Sequence, residues 1–443
     1  MSFLQNTMPL RLVLLTSSQT SGGAAIACMR QARALRQAGH HVTVLSPETW
    51  WPDGILGKWM RRWYTLRKHL VYKLQQFLVW TPGAMFSGNP WPSSDPRRMA
   101  HPALLEADAV VLHWINHGFL GSADLQALLE LDKPILWHMH DQWAFTGGCH
   151  YSGACLAFER SCGSCPQLRH RGPDDRSRQQ FSERQKWATQ AGNRLALVAP
   201  SLWLAGMAAK SGIVQGSGAL VCCIPNPFDS EADGQGLEPR LTVNGLARPR
   251  LFFAAVNPSD PRKGWDLLMM ALEHLGREGL VFEVEVAGKV TDATRQQVQA
   301  LEAGGHRISW LGLLGPLAMQ QAYARADFFV IPSLQENFPN TILESFAVGT
   351  PVVGFAAGGI ADMIVEGQNG ALAPAVDPWA SESAKTMAAM NLASAMVRVV
   401  KHPQGHLLRQ GAHQSLDLVR PERIAKAYIE LVQDMLKKPS KAL

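Results

Sequence analysis

Phe328-Phe329-Val330-Ile331-Pro332-Ser333-Leu334-Gln335-Glu336-Asn337-Phe338-Pro339-Asn340-Thr341-Ile342-Leu343-Glu344-Ser345-Phe346 is the stretch that decides the fold. Its four leading apolar residues read as a buried strand. Ile342, Leu343 and Phe346 then share one side of a helix, and Pro351-Val352-Val353-Gly354 begins the next strand. Glu336 lies in the loop and Glu344 in the first turns of the helix. Asn340 between them reads as an N-cap, so unpaired backbone N–H groups and the positive end of the helix dipole face whatever the loop holds. Such a terminus suits a phosphate, and the nearby carboxylates suit hydroxyls. Anion and polyol together point to a sugar nucleotide.

The same rhythm extends in both directions. Further strands are expected at Leu251 to Val256, Val281 to Ala287 and Ile308 to Leu311, with helices between them. Towards the start, Arg11 to Leu15 reads as a strand and Thr16 to Gly23 as a small-residue loop. A helix follows to Ala38, and Gly39 ends it ahead of a strand over His41 to Ser46. Strands recur at Ala109 to Leu112, Pro134 to Met139, Leu195 to Ala199 and Val221 to Ile224. Alternating strands and helices predict parallel sheets with right-handed crossovers. The expectation is an α/β chain of two doubly wound, Rossmann-like domains facing each other across a cleft. The first would occupy 1–229 and the second 251–420, joined by an aperiodic linker over 230–250. An amphipathic helix within 421–443 would close back on the first domain.

A length of 443 residues suffices for two cores, and 47% hydrophobic with 18% charged residues excludes a disordered chain. The formal charge of +6 fits phosphorylated small molecules, anionic lipid or nucleic acid as partners. No apolar run reaches the roughly 20 residues that span a bilayer, and the start lacks the pattern of a signal peptide. A cytoplasmic protein is the expectation. The segment 50–80 interrupts the alternation with Lys58, Trp59, Arg61, Arg62, Trp63, Arg67, Lys68, His69, Lys73 and Trp80. It reads either as a helix lying on an anionic membrane surface or as a solvated helix with tryptophans packed inward.

Three further constellations could carry chemistry. Arg262-Lys263, in the loop before Gly264-Trp265, places two cations at a strand's carboxyl end, where they can neutralise a departing diphosphate. In Trp137-His138-Met139-His140-Asp141, alternation puts both histidines on one face. His140 beside Asp141 could position or deprotonate an acceptor hydroxyl, while His138 reads as a buried structural residue. Cys149, Cys155, Cys162 and Cys165 crowd the segment 149–165 with a closing C-x₂-C. In a reducing compartment they suggest structural zinc, with disulfides and free thiols also open. Gly22-Gly23 lets backbone approach a ligand but is no dinucleotide fingerprint.

Over most of its length the chain resembles the retaining GT-B glycosyltransferases of family 4, the "glycosyl transferases group 1" enzymes. The resemblance rests on Gly22-Gly23, His140-Asp141, Pro200-Ser201, Ile224-Pro225-Asn226 and Arg262-Lys263-Gly264. Its strongest part runs from Ser333 to Gly359, with Gly349-Thr350-Pro351 and Gly358-Gly359. It implies that Glu336 contacts the donor sugar, Glu344 the ribose and Lys263 the diphosphate, and that His140 lines the acceptor side. Asn337, Phe338 and Asn340 join the donor contacts, and Gly22, Gly23 and Asp141 form the acceptor and phosphate loop. It also implies metal-independent transfer with retention, from a nucleotide-diphosphate sugar to a glycan or lipid-linked acceptor, as in bacterial surface polysaccharide assembly. Two positions depart from the family pattern. Val256-Asn257-Pro258 stands where Gly-Arg-Leu is common, leaving Arg262 as the substitute phosphate ligand, and Asp362 stands where Glu is frequent. A sugar-nucleotide epimerase or phosphorylase on the same fold, or a non-enzymatic basic surface-binding protein, are the competing expectations.

Overall fold

The computed structural model describes residues 8–20, 22–51, 54–78, 86–87, 99–116, 118–230, 248–289 and 291–438. Trp80 and 231–247 of the expected linker lie outside them. The chain forms two compact units. One runs to Pro227 and takes up the chain again from Pro421; the other is Phe228–Arg420.

The first unit is built on a six-stranded sheet, β1 (Arg11–Leu15), β2 (His41–Leu45), β3 (Ala109–Leu112), β4 (Ile135–His138), β5 (Leu195–Ala199) and β6 (Leu220–Cys223). Its order is β2-β1-β3-β4-β5-β6, and every pair is parallel. Alternate residues divide between two cores, as the two-residue period of a strand requires. Val13, Leu15, Val110, Leu112, Ile135, Trp137 and Leu197 pack to one side. Leu12, Leu14, Val111, Leu136, Ala196 and Val198 pack to the other, against the helices Gly23–Gln37 and Pro421–Leu436. Covered on both faces, these strands read as unbroken apolar runs. The last helix buries Ile424, Tyr428, Ile429, Val432 and Met435 here, worth on the order of 10 kcal/mol of apolar transfer before chain entropy is subtracted.

The second unit repeats the plan with β7 (Arg250–Ala254), β8 (Glu283–Ala287), β9 (Arg307–Gly312), β10 (Phe328–Ile331), β11 (Val352–Phe355) and β12 (Gly370–Ala373). The order is β12-β11-β10-β7-β8-β9, again all parallel. The chain proceeds from β7 outward to β9, then returns to the other side of β7 to start β10. That reversal makes the carboxyl ends of β7 and β10 a topological switch point, where open α/β sheets bind ligands. In the first unit the equivalent switch lies between β1 and β3. Sequence reading located β7 to β11 but not β12, whose Gly-Ala-Leu-Ala has no β-branched residue. The helices Glu382–Val400 and Gly405–Ser415 also went unread.

One expected cap is corrected. The helix Asn340–Ala347 already includes Asn340, and Pro339 occupies the cap position in extended conformation (φ −69°, ψ 120°) with no side-chain cap. Pro339 carries the chain into the helix one residue earlier than the Asn signal suggested, so Asn340 stands inside the first turn. Ser201, by contrast, caps its helix through its side chain, accepting from the Leu204 N–H.

Candidate functional site

In the second unit three loops are locked together at the switch point. The Leu334 N–H donates to the Arg262 carbonyl at 2.8 Å. Gly264 has φ +65°, and a Cβ there would sit 2.0 Å from the Pro332 carbonyl oxygen. Gly358 has φ +57°, with a Cβ position 2.3 Å from the Glu336 carbonyl oxygen, and the Gly359 N–H donates to that same oxygen at 2.9 Å. Only glycine combines a left-handed backbone with this closeness. The loops after β7, β10 and β11 are therefore one rigid platform.

On it Lys263 Nζ lies 2.5 Å from Glu336 Oε1, their side chains 33% and 15% exposed. The two residues are 73 positions apart and come from adjacent strands. Arg262 turns elsewhere. Its guanidinium makes two contacts with Asp260, Nη2 to Oδ2 at 2.7 Å and Nε to Oδ1 at 3.3 Å. The expected substitute phosphate ligand thus already holds a carboxylate. Asn257, where the family's Arg would stand, accepts from the Ser259 N–H at 3.2 Å in a local turn. Asn337 is buried, Phe338 is half-buried against the core of this unit, and Asn340 opens the uncapped helix. Glu344 is half-buried beside Tyr323, whose phenol is pushed well above its ordinary range by burial and then by that carboxylate.

The first unit has a different character at its switch point. A cavity of about 440 Å³ is lined by Thr16, Ser17, Gly22, Gly23, Lys68 and Trp114, among others. Gly22 holds the cap position of the helix Gly23–Gln37 without a side-chain cap, so its amino-terminal end borders this space. Three histidines gather at the ends of β3 and β4. His113 Nδ1 and His140 Nε2 are 3.0 Å apart. His138 bonds through Nε2 to Asn226 Oδ1 at 2.8 Å and through Nδ1 to the Tyr428 hydroxyl. With Asn226 Oδ1 as acceptor, Nε2 of His138 carries the proton and Nδ1 accepts from Tyr428. Burial drives all three imidazoles to lower pKa, His138 to about 4 and the others well below their usual value. They are neutral at pH 7. Although their nitrogens lie within 4.8 Å of one another, both nitrogens of His138 are engaged and His113 and His140 bond each other. The trio is a hydrogen-bond network that a metal would have to break.

Asp141 does not serve His140. Its Oδ1 accepts from the Trp143 N–H at 2.8 Å and its Oδ2 pairs with His150 Nδ1 at 2.6 Å. Asp141 is buried and organises its own loop. Sequence reasoning missed His113, Asn226 and Tyr428 as partners of the His138-His140 pair. For His113 a signal existed, since it directly follows a strand placed beside β4. The four cysteines all face one small cavity of about 20 Å³.

The basic segment forms the helix Ile55–Leu78. Met60, Arg61, Tyr64, Arg67 and Lys68 are half-buried along one side. Along the other, Ile55, Trp59, Trp63, Leu66 and Leu70 are exposed, the two tryptophans by 70% and 58%. Inward packing thus holds for Trp50, 3% exposed, and not for these two. Among the described residues no helix is long and apolar enough to cross a membrane.

Both units match glycosyltransferase families. Residues 21–232 match the family model described as Glycosyltransferase Family 4, and residues 248–391 that described as Glycosyl transferases group 1. Glycogen synthase of Mycobacterium tuberculosis is 30% identical over 202 residues, 41% of this chain and 48% of the relative. The chain thus spans about half the length of such curated relatives. Among solved structures, Anabaena HepE in complex with UDP and glucose superposes with a TM-score of 0.51 at 17% identity, covering 96% of this chain and 99% of that one. Sucrose-phosphate synthase of Thermosynechococcus elongatus gives 0.58 at 16% identity, covering 96% and 98%. The fold is that of the GT-B glycosyltransferases.

Proposed function

We propose that this chain is a retaining glycosyltransferase that moves a sugar from a nucleotide-diphosphate donor to a glycan or lipid-linked acceptor. The observation that carries the reading is the Lys263–Glu336 pair on its glycine-locked platform. A cation and a carboxylate held together at a switch point fit a ligand that is part diphosphate and part polyol. Lys263 would neutralise the departing diphosphate, where developing charge is greatest. The uncapped amino terminus at Asn340 would add backbone N–H donors, with Asn337 and Phe338 beside it. Glu336 would bind the donor sugar through its hydroxyls and Glu344 the ribose. Arg262 has a lesser part in this account, because Asp260 already occupies its fork.

On the acceptor side we assign the 440 Å³ cavity with Gly22, Gly23 and Lys68, and His140 at the nearby strand end. His140 is neutral, so it can exchange a hydrogen bond with an acceptor hydroxyl without bringing a charge. The exposed tryptophan stripe of the helix Ile55–Leu78, with Lys58, Arg62, His69 and Lys73 also exposed, suits the surface of an anionic membrane where a lipid-linked acceptor resides. A role in bacterial surface polysaccharide assembly is consistent with that setting.

Thermal shift against a panel of nucleotide sugars tests the donor assignment, since a ligand bound only by the native state raises its stability. One nucleotide sugar should stabilise the wild type and fail to stabilise Lys263→Ala. Radiolabelled transfer should then require an added acceptor. Turnover of the donor without acceptor would instead favour an epimerase, and phosphate-dependent cleavage of a glycan a phosphorylase.

A further inference from the structure

The segment 149–165 has almost no regular secondary structure. It contains no strand and a single short turn of 3₁₀ helix, Ala157–Glu159. Cys162 and Ser164 both adopt positive φ, 49° and 48°, with Gly163 between them at 107°. For side-chain-bearing residues this costs roughly 1–2 kcal/mol each, and it persists only where the surroundings over-determine the backbone. Here the Gly163 N–H donates to Ser177 Oγ at 3.0 Å, the Cys165 N–H to Asp175 Oδ2 at 2.8 Å and the Ser164 N–H to the Gly172 carbonyl at 2.7 Å, which holds the turn with its cysteines facing inward.

Four free thiols converge there. Cys149, Cys155, Cys162 and Cys165 line one cavity of about 20 Å³, walled by Phe86 and Phe158. Such a space holds one small ion or one water. Beside the thiols lies the buried guanidinium of Arg184. It donates to the carbonyls of Trp143, at 2.8 Å, and Thr146, and to Gln180 Oε1 at 3.1 Å, all uncharged. Buried cations need a counter-charge.

We propose that Cys149, Cys155, Cys162 and Cys165 bind one structural zinc ion, independently of the sugar-transfer reading. Four thiolates on Zn²⁺ leave a net charge of −2, a counter-charge for the buried guanidinium of Arg184 in addition to the carboxylates of Glu183 and Asp141. A four-thiolate shell has no open position, so the ion is structural and takes no part in transfer. Zinc–sulfur bonds of about 2.3 Å set the sulfurs about 3.8 Å apart. No three of them yet lie within 4.8 Å of one another, so binding turns the side chains inward on a backbone already bent around the cavity. The consequence reaches the end of β4. His150 follows Cys149 and holds Asp141, so the ion clips the loop beside His140.

The test uses the full chain, purified under reducing conditions from zinc-supplemented culture, with metal measured by plasma mass spectrometry. About one zinc per chain is expected, falling to trace levels in Cys162→Ser/Cys165→Ser. Cobalt exchanged into the wild type should give the intense visible bands of a tetrahedral thiolate site. Because the double variant could fail to fold, removal of zinc from the wild type by a chelator gives a second measure, with a lowered melting temperature restored by zinc alone. Wild type with far less than one zinc, iron in its place, disulfides by intact mass, or zinc retained by the double variant would each overturn the proposal.

Discussion

The two switch points of this molecule are built on opposite principles. In the second unit the candidate groups are charged, partly exposed and carried on loops locked by glycine contacts. In the first unit they are neutral, buried and held by side-chain hydrogen bonds reaching far along the chain. A platform of locked loops can lose a charge and keep its shape, since its rigidity lies in the backbone. A buried network cannot lose a partner so cheaply, because the group left behind is dehydrated and unpaired. Function and stability should therefore separate in one place and coincide in the other.

Neutralising the platform gives the largest expected effect. Lys263→Ala and Glu336→Gln should each lower turnover by a factor on the order of 10²–10³, while stability stays within about 0.5 kcal/mol. Urea unfolding alongside steady-state kinetics would check this. A large loss of stability would break the contrast. The complementary prediction concerns acid. Burial depresses His138 from 6.5 to about 4, so the unfolded chain takes the proton first as pH falls. The stability this residue contributes is complete above pH 6.5 and is lost progressively between 6.5 and about 4, for about 3 kcal/mol in all. His113 and His140 shift the same way and add to the slope. Unfolding free energy measured across that window should be shallower in His138→Gln.

Smaller effects sharpen the picture. Tyr428→Phe removes the donor to His138 Nδ1 and should cost about 1–2 kcal/mol, with donor affinity unchanged. A variant as stable as wild type would show that the network does not hold the helix Pro421–Leu436. Asp260→Asn should do least: it weakens the grip on Arg262, and a modest gain in donor affinity would reveal that guanidinium as a latent phosphate ligand.

The contrast also explains what could be read from sequence. The part of the platform that carries Glu336 is local: a strand, a turn and a helix follow one another within 328–346. Lys263 lies in a comparable loop after β7, the strand that pairs with β10. Such units announce themselves through period and turn chemistry. The histidine network has no local signature. Tyr428 is 290 residues from His138 and Asn226 is 88 residues from it; nothing in the spacing of His138 and His140 indicates either. The partner of Asp141 went unread for the same reason, because His150 lies nine residues on, across a turn. At Asn340 a propensity signal lost to the backbone geometry of the preceding proline.

The return of the chain to its first unit through the helix Pro421–Leu436 has a consequence for biogenesis. Synthesis proceeds from the amino terminus, and domains usually fold in that order as they emerge. Here the whole of Phe228–Arg420 is made before the first unit receives the helix that covers Leu12, Leu14, Val111 and Leu136. The second unit, although later in sequence, is the first that can finish folding. Until then the helix Gly23–Gln37 covers that face of the earlier sheet without its neighbour, apolar surface stays open beside it, and the nascent protein passes through a period in which a chaperone would find a ready target.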